Sequence, residues 1–169
     1  MRTSSAVRAR LWAFRMTQPQ RACRGGDVPI QWRKQMSVGN LIIDLDHRYL
    51  LSLINQVEYA LRHPEETQNL KMALDQLTEY AREHFAREEK LQLRIQFRGY
   101  MPHKMAHQSL LERLDRITGE ILQESDPERL GARKEEITGL LRDWLLDHVL
   151  KEDMKMKAEL ENLPPNAVG

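Results

Sequence analysis

The chain has 169 residues, with 26 Lys and Arg against 25 Asp and Glu for a formal net charge of +1, a length that suits one domain with or without a tail. Six Arg and no acidic residue fall within residues 1–26, so the rest of the chain is acidic overall, which removes the composition-level case for a nucleic-acid partner. A hydrophobic fraction of 41% can build a core, no apolar run approaches the ~20 residues of a membrane span, and the lone Cys23 excludes a disulfide framework or a cysteine-based zinc site. These features together predict a soluble, cytoplasmic protein.

Residues 1–29 read as a basic, disordered leader. Arginine with Ser4 and Ser5 is also the composition of a transit peptide, but a plain basic tail, or a true start at Met16 or Met36, is the simpler reading. Four helical patterns follow. The first runs from about Leu41 to Arg62 and stops before His63-Pro64, where proline disfavours helix at the residue ahead of it. His63 at that boundary reads as solvent-exposed or capping. The second opens with Pro64-Glu65-Glu66, a favourable first turn, and continues to about Arg94. Gly99 breaks it, Pro102 opens a third helix to about Glu124, and Ser125-Asp126-Pro127 turns the chain. The fourth spans about Lys134 to Leu160, and Pro164-Pro165 lies in a flexible tail, 162–169. No alternating strand pattern is present. Helices of this length with mostly short connections predict an all-α, antiparallel up-down-up-down four-helix bundle over residues 30–161.

Each helix carries an apolar stripe at four-then-three spacing. The stripes are Ile43, His47, Leu50, Ile54, Val57 and Leu61; Leu70, Leu74, Leu77, Ala81, His84, Glu88 and Leu91; His103, His107, Leu110, Leu114, Ile117 and Ile121; and Ile137, Leu141, Trp144 and His148. Five of the six histidines and one glutamate thus sit on core positions. A buried imidazole or carboxylate without partners costs several kcal/mol, and a lone core histidine usually has a backbone partner. Antiparallel topology, however, gathers all of these at one end of the bundle, and a metal is the most economical way to satisfy so many lone pairs. His84/Glu88 and His103/His107 are i, i+4 pairs that project from one helix face each. After His148 the stripe resumes one residue out of phase as Val149, Asp153, Met156 and Leu160. A π-bulge near residues 149–152 would let His148 and Asp153 both point inward; Glu152, at i+4 from His148, is the competing carboxylate and fits the resumed phase less well.

The resulting set, His47, His84-x-x-x-Glu88, His103-x-x-x-His107 and His148-x-x-x-x-Asp153, resembles the hemerythrin family, the bacteriohemerythrins in particular. Trp32, Met36-Ser37-Val38-Gly39, Ile43-Asp44, His84-Phe85, Glu88-Glu89 and Trp144-Leu145 also fit that pattern. The resemblance covers about residues 30–160. Two departures stand out: Asp46 occupies a position where Gln often precedes the first ligand, and the turn between the third and fourth helices is long. The resemblance implies a non-heme centre of two Fe ions with an oxo or hydroxo bridge that takes O2 as a reversible ligand. Carried over by position, His103, His107 and His148 would hold one iron, His47 and His84 the other, and Glu88 and Asp153 would bridge them. It further implies an oxygen carrier rather than an enzyme, with an oxygen-consuming enzyme as the partner it would supply. Leu50, Phe85 and Leu145 are expected to wall a dry pocket, and the stripes leave no obvious second apolar face, which predicts a monomer.

Three alternatives compete with that reading. A ferritin-like di-iron oxidase would use Glu-x-x-His pairs, and no Glu stands three residues before any His here, although weak oxidase or peroxidase activity stays open. An O2, redox or iron sensor would need a partner contact. A bundle with one zinc or no metal is the plainest alternative, but seven donors exceed the three or four that one zinc uses.

Overall fold

The computed structural model describes residues 29–63 and 67–161, without the side chains of 127, 130, 131 and 143–146. The expected leader, except for Pro29, the tail at 162–169 and the first turn expected at Pro64-Glu65-Glu66 lie outside the described residues, as do the Trp144 and Leu145 side chains. Helix α1 spans Leu41–Leu61, α2 Thr67–Arg94, α3 Tyr100–Gln123, α4 Pro127–Ala132 and α5 Lys134–Asp147. The last long helix then continues without a break through a π-turn at His148–Glu152, a 3-10 turn at Asp153–Met156 and the short α6 at Lys157–Leu160. No strand occurs among the described residues. The architecture is the antiparallel helical bundle expected from the periodicity, and among the described residues no helix is long and apolar enough to cross a membrane.

Two departures from the expected elements have local causes. The connection between α3 and the last long helix contains α4, because Asp126 accepts a hydrogen bond from the Glu128 backbone amide (2.9 Å) and Pro127 suits a first helical position. Helix α3 starts two residues before Pro102, at Tyr100. Proline is tolerated there because a third-position amide has no intrahelical partner to lose.

The segment before α1 is tied to the bundle at several points. Asn55 on α1 accepts from the Ile30 amide (2.8 Å) and donates to the Ile30 carbonyl (2.9 Å). A 3-10 turn at Lys34–Met36 buries Met36, and Gly39 turns the chain with a φ of +89° that disfavours a side chain. Asn40 then caps α1 by accepting from the Ile42 and Ile43 amides. Asp44, one turn in, accepts from Ser37 Oγ (2.5 Å) and the Val38 amide (2.9 Å), while Lys157 donates to the Ser37 carbonyl. The N-terminal segment is therefore joined to both the first and the last helix near the histidine-bearing end.

That end is also fixed by the α2–α3 turn. The Phe97 amide donates to the Gln92 carbonyl (2.9 Å) and the Gln96 amide to the Leu93 carbonyl (3.2 Å), the paired bonds of a Schellman stop. The left-handed residue is Gln96, with φ +53°, rather than a glycine. The stop turns Phe97 inward, where its ring meets His103 edge-on at 6.1 Å. Farther along the bundle, Arg142 donates twice to the buried Glu58 (2.5 and 3.0 Å), linking the last long helix to α1.

Candidate metal centre

Each apolar stripe is buried where its side chains are described, and the stripes bring their polar members to one level of the core. His47 is 0% exposed, His84 1%, Glu88 0%, His103 2%, His107 1%, His148 4% and Asp153 0%. The i, i+4 pairs on α2 and α3 face one another across the bundle: His103 Nε2 lies 2.8 Å from Glu88 Oε1, and His84 Nε2 lies 3.2 Å from Glu88 Oε2. Asp153 reaches His47 Nε2 (3.1 Å), His148 Nε2 (3.2 Å) and His103 Nε2 (3.3 Å).

Asp153 gains this position from the π-turn. Its amide donates to the His148 carbonyl five residues back, which widens the turn and rotates Asp153 onto the face of His148. Glu152 instead lies at the surface and takes both of its ion-pair distances, 2.7 and 2.6 Å, from Lys155. The phase shift in the sequence thus has the cause expected for it, and Asp153 is the carboxylate that enters the cluster.

The donors fall into two groups that share Asp153: His103, His107, His148 and Asp153, and His47, His84, Glu88 and Asp153. Within each group one ligand-type atom per residue lies within 4.8 Å of all the others. Despite the short distances, both ring nitrogens of His47 and His103, Nε2 of His107 and His148, Oε2 of Glu88 and both Asp153 oxygens are buried without a hydrogen-bond partner. Buried polar atoms are nearly always satisfied. So many convergent lone pairs fit metal ions, and imidazole with carboxylate is a donor set suited to iron. His63 stands apart, with Nδ1 against the Tyr59 carbonyl at 2.9 Å, a cap on the end of α1.

The electrostatics of the metal-free site follow from the same contacts. Burial alone would raise both carboxyls, yet the imidazoles of His103 and His84 hold Glu88 well below its usual range. Burial and the Glu88 charge oppose ionisation of Asp153, but His148, His103 and His47 bring it down to about 2. Against burial, the nearby carboxylates of Asp46 and Glu88 lift His84 to about 9, and those of Asp153 and Glu88 lift His103 to about 9. Burial dominates for His107 and His148: His107 is pushed down to about 3, and His148 is also lowered. In the metal-free site the Glu88 and Asp153 carboxylates thus stay ionised beside imidazolium groups at His84 and His103.

Several contacting residues were not evident as site residues in the sequence. Gln92, fully buried, donates from Nε2 to Glu88 Oε1 (2.8 Å). Asp46 Oδ2 lies 3.3 Å from His84 Nδ1 and accepts from Arg87 Nε (2.8 Å), while Asp46 Oδ1 accepts from Tyr80 OH (2.6 Å). Glu89 Oε1 lies 3.2 Å from His107 Nδ1. Phe85, expected as wall, stacks on His107 at 3.9 Å and 13°, and Leu50 is fully buried. Trp32 packs against His47 at 6.3 Å from the N-terminal segment. A surface groove of about 500 Å³, lined by Ser109, Leu110, Arg113, Leu140 and Lys151 among others, reaches the cluster at His148.

Residues 39–160 match the family described as the hemerythrin HHE cation binding domain. The chain is 28% identical over 135 residues to a bacteriohemerythrin of Aquifex aeolicus, spanning 78% of this chain and 97% of that one. It is 25% identical over 122 residues to a bacteriohemerythrin of Pseudomonas aeruginosa, spanning 72% and 75%. A hemerythrin-like protein of Naegleria gruberi is 24% identical over 132 residues, spanning 78% and 94%.

Proposed function

The chain belongs to the hemerythrin family, and from that premise we propose that it binds O2 reversibly at a non-heme centre of two iron ions. The ligands in this reading are His103, His107 and His148 on one ion and His47 and His84 on the other, with Glu88 and Asp153 between them. The observation that carries it is the convergence of seven buried donors in two groups that share Asp153, most of them with lone pairs that no hydrogen bond uses. An iron pair bound there supplies reversible two-electron chemistry towards O2.

The protein's own contribution is to hold and seal the site. Gln92 orients Glu88 through its amide, and Glu89 restrains His107 from outside the cluster. Leu50 and the Phe85 ring on His107 keep bulk water away, which protects an oxidisable centre. A histidine-rich, carboxylate-poor donor set, without Glu-x-x-His pairs, favours carriage or storage of O2 over ferroxidase or hydroxylase chemistry. In this reading the protein is not an enzyme; it works in the cytoplasm as a monomer and delivers O2 to an oxygen-consuming enzyme.

The test is anaerobic reconstitution with ferrous iron followed by optical spectra through repeated cycles of air and argon. A visible band that appears in air and vanishes under argon, cycle after cycle, is expected. Immediate irreversible oxidation would move the function to redox sensing or oxidase chemistry.

A further inference from the structure

We propose that Asp46 is a positioning residue for the two-histidine half of the centre: anchored by Tyr80 and Arg87, its carboxylate takes the Nδ1–H of His84 and so presents His84 Nε2 as the ligating atom. The proposal rests on the two-metal reading above.

The geometry is asymmetric in a way that assigns this role. Both oxygens of Asp46 are held from outside the cluster, Oδ1 by Tyr80 OH at 2.6 Å and Oδ2 by Arg87 Nε at 2.8 Å. The guanidinium of Arg87 also lies over the Tyr80 ring at 5.3 Å, and Tyr49 meets that ring edge-on at 4.5 Å. Asp46 is thus a fixed acceptor, and its Oδ2 faces His84 Nδ1 at 3.3 Å while His84 Nε2 faces Glu88. A histidine whose far nitrogen donates to a carboxylate is locked in one tautomer and one ring orientation, and its ligating nitrogen becomes a stronger donor.

His47, the other imidazole of this half-site, has no such restraint. Neither of its ring nitrogens has a hydrogen-bond partner, and its ring rests against Trp32 and His84. In the other half-site, Glu89 restrains His107, whereas both nitrogens of His103 lack partners. Each half-site therefore has one imidazole tied to a carboxylate outside the cluster, Asp46 for one and Glu89 for the other. The position of Asp46 is where the family resemblance leads one to expect glutamine. An amide there could accept the same hydrogen bond but would bring no negative charge towards His84.

The experiment is an anaerobic cobalt(II) titration of the whole metal-free chain, comparing wild type with D46A, D46N, Y80F and E89A. Far-UV circular dichroism checks that each variant is folded, and ¹⁵N NMR of the zinc-loaded proteins identifies which histidine nitrogens are metal-bound. Wild type should take two ions, with His84 bound through Nε2 and carrying a proton on Nδ1. D46A should lose about 10–100-fold in affinity for one ion only, and at one equivalent of zinc His47 and His84 should stay metal-free. D46N should lose less, Y80F should lose only a few-fold, as for one hydrogen bond at a remove, and E89A should weaken the other half-site instead. If D46A fails to fold, the D46N and Y80F titrations decide. Unchanged affinities in the folded Asp46 and Tyr80 variants, equal weakening of both half-sites, or metal on His84 Nδ1 would each overturn the proposal while leaving the two-metal reading intact. A wild-type chain that takes fewer than two ions would overturn that reading and the proposal with it.

Discussion

Replacing His103 by alanine probes the centre of the site in both its metal-free and its loaded form. His103 Nε2 stands between the two fully buried carboxylates, 2.8 Å from Glu88 and 3.3 Å from Asp153. In the metal-free chain its charge helps balance both, and removing one partner from a buried pair costs about 3–5 kcal/mol. Of the two carboxylates, His148 Nε2 faces only Asp153, at 3.2 Å, and burial lowers the pKa of His148, so His148→Ala removes no charge at pH 7. It should cost less, about 0.5–3 kcal/mol, the usual range for a single substitution, because a buried ring is lost but no charge is left unbalanced. Urea unfolding of the metal-free proteins reads this difference directly. At an m-value of about 1–3 kcal/mol/M, His103→Ala should lower the midpoint by about 1 M or more, and His148→Ala by less. After anaerobic loading, both variants should hold fewer than two irons by colorimetric chelation. Two irons retained in both variants would refute the ligand assignment. A metal-free His103→Ala chain as stable as His148→Ala would refute the charge-balance argument.

Other consequences concern protons, packing and the helix stop. Because His84 and His103 are held near 9 in the metal-free site, both are protonated at pH 7 and must lose a proton to bind metal. Ferrous iron uptake at pH 7 should therefore release about two protons to a weakly buffered indicator, and iron affinity should rise as pH goes from 6 to 9; a flat profile would count against imidazolium in the empty site. Glu58→Gln should destabilise the fold by about 1–3 kcal/mol, since Glu58 is buried and Arg142 partly exposed, yet leave the iron count at that of wild type. Gln96→Gly should stabilise the chain by up to about 1 kcal/mol in the same urea assay, because Gln96 occupies the left-handed region; destabilisation would show that its side chain contributes more than its backbone costs.

Much of the site was legible because apolar periodicity assigns a side chain to the core whatever its chemistry. His47, His84, Glu88, His103, His107 and His148 were found on core stripes for that reason, and the phase slip after His148 located both the π-turn and Asp153. The same logic hid Asp46 and Gln92. A polar residue beside a stripe reads as solvated surface, and only the meeting of α1 with α2 shows that Asp46 lies under Tyr80 and Arg87. Gln92 is buried because the last helix delivers Met156 onto it, with the sulfur 3.2 Å from its amide nitrogen, a contact separated by 64 positions. The α2–α3 stop was legible only in part. Gly99 marked the break, but the left-handed residue is Gln96, a type that gives no sequence signal for that conformation. The short helix α4 was missed because its capping residue, Asp126, and Pro127 equally suit a turn.

The most direct test of the account is a crystal structure of the anaerobically iron-loaded chain with anomalous scattering measured at the iron edge. Two iron peaks are predicted inside the bundle, one against His103, His107 and His148 and the other against His47 and His84, with Glu88 and Asp153 reaching both. A single peak, or iron bound elsewhere on the chain, would contradict it.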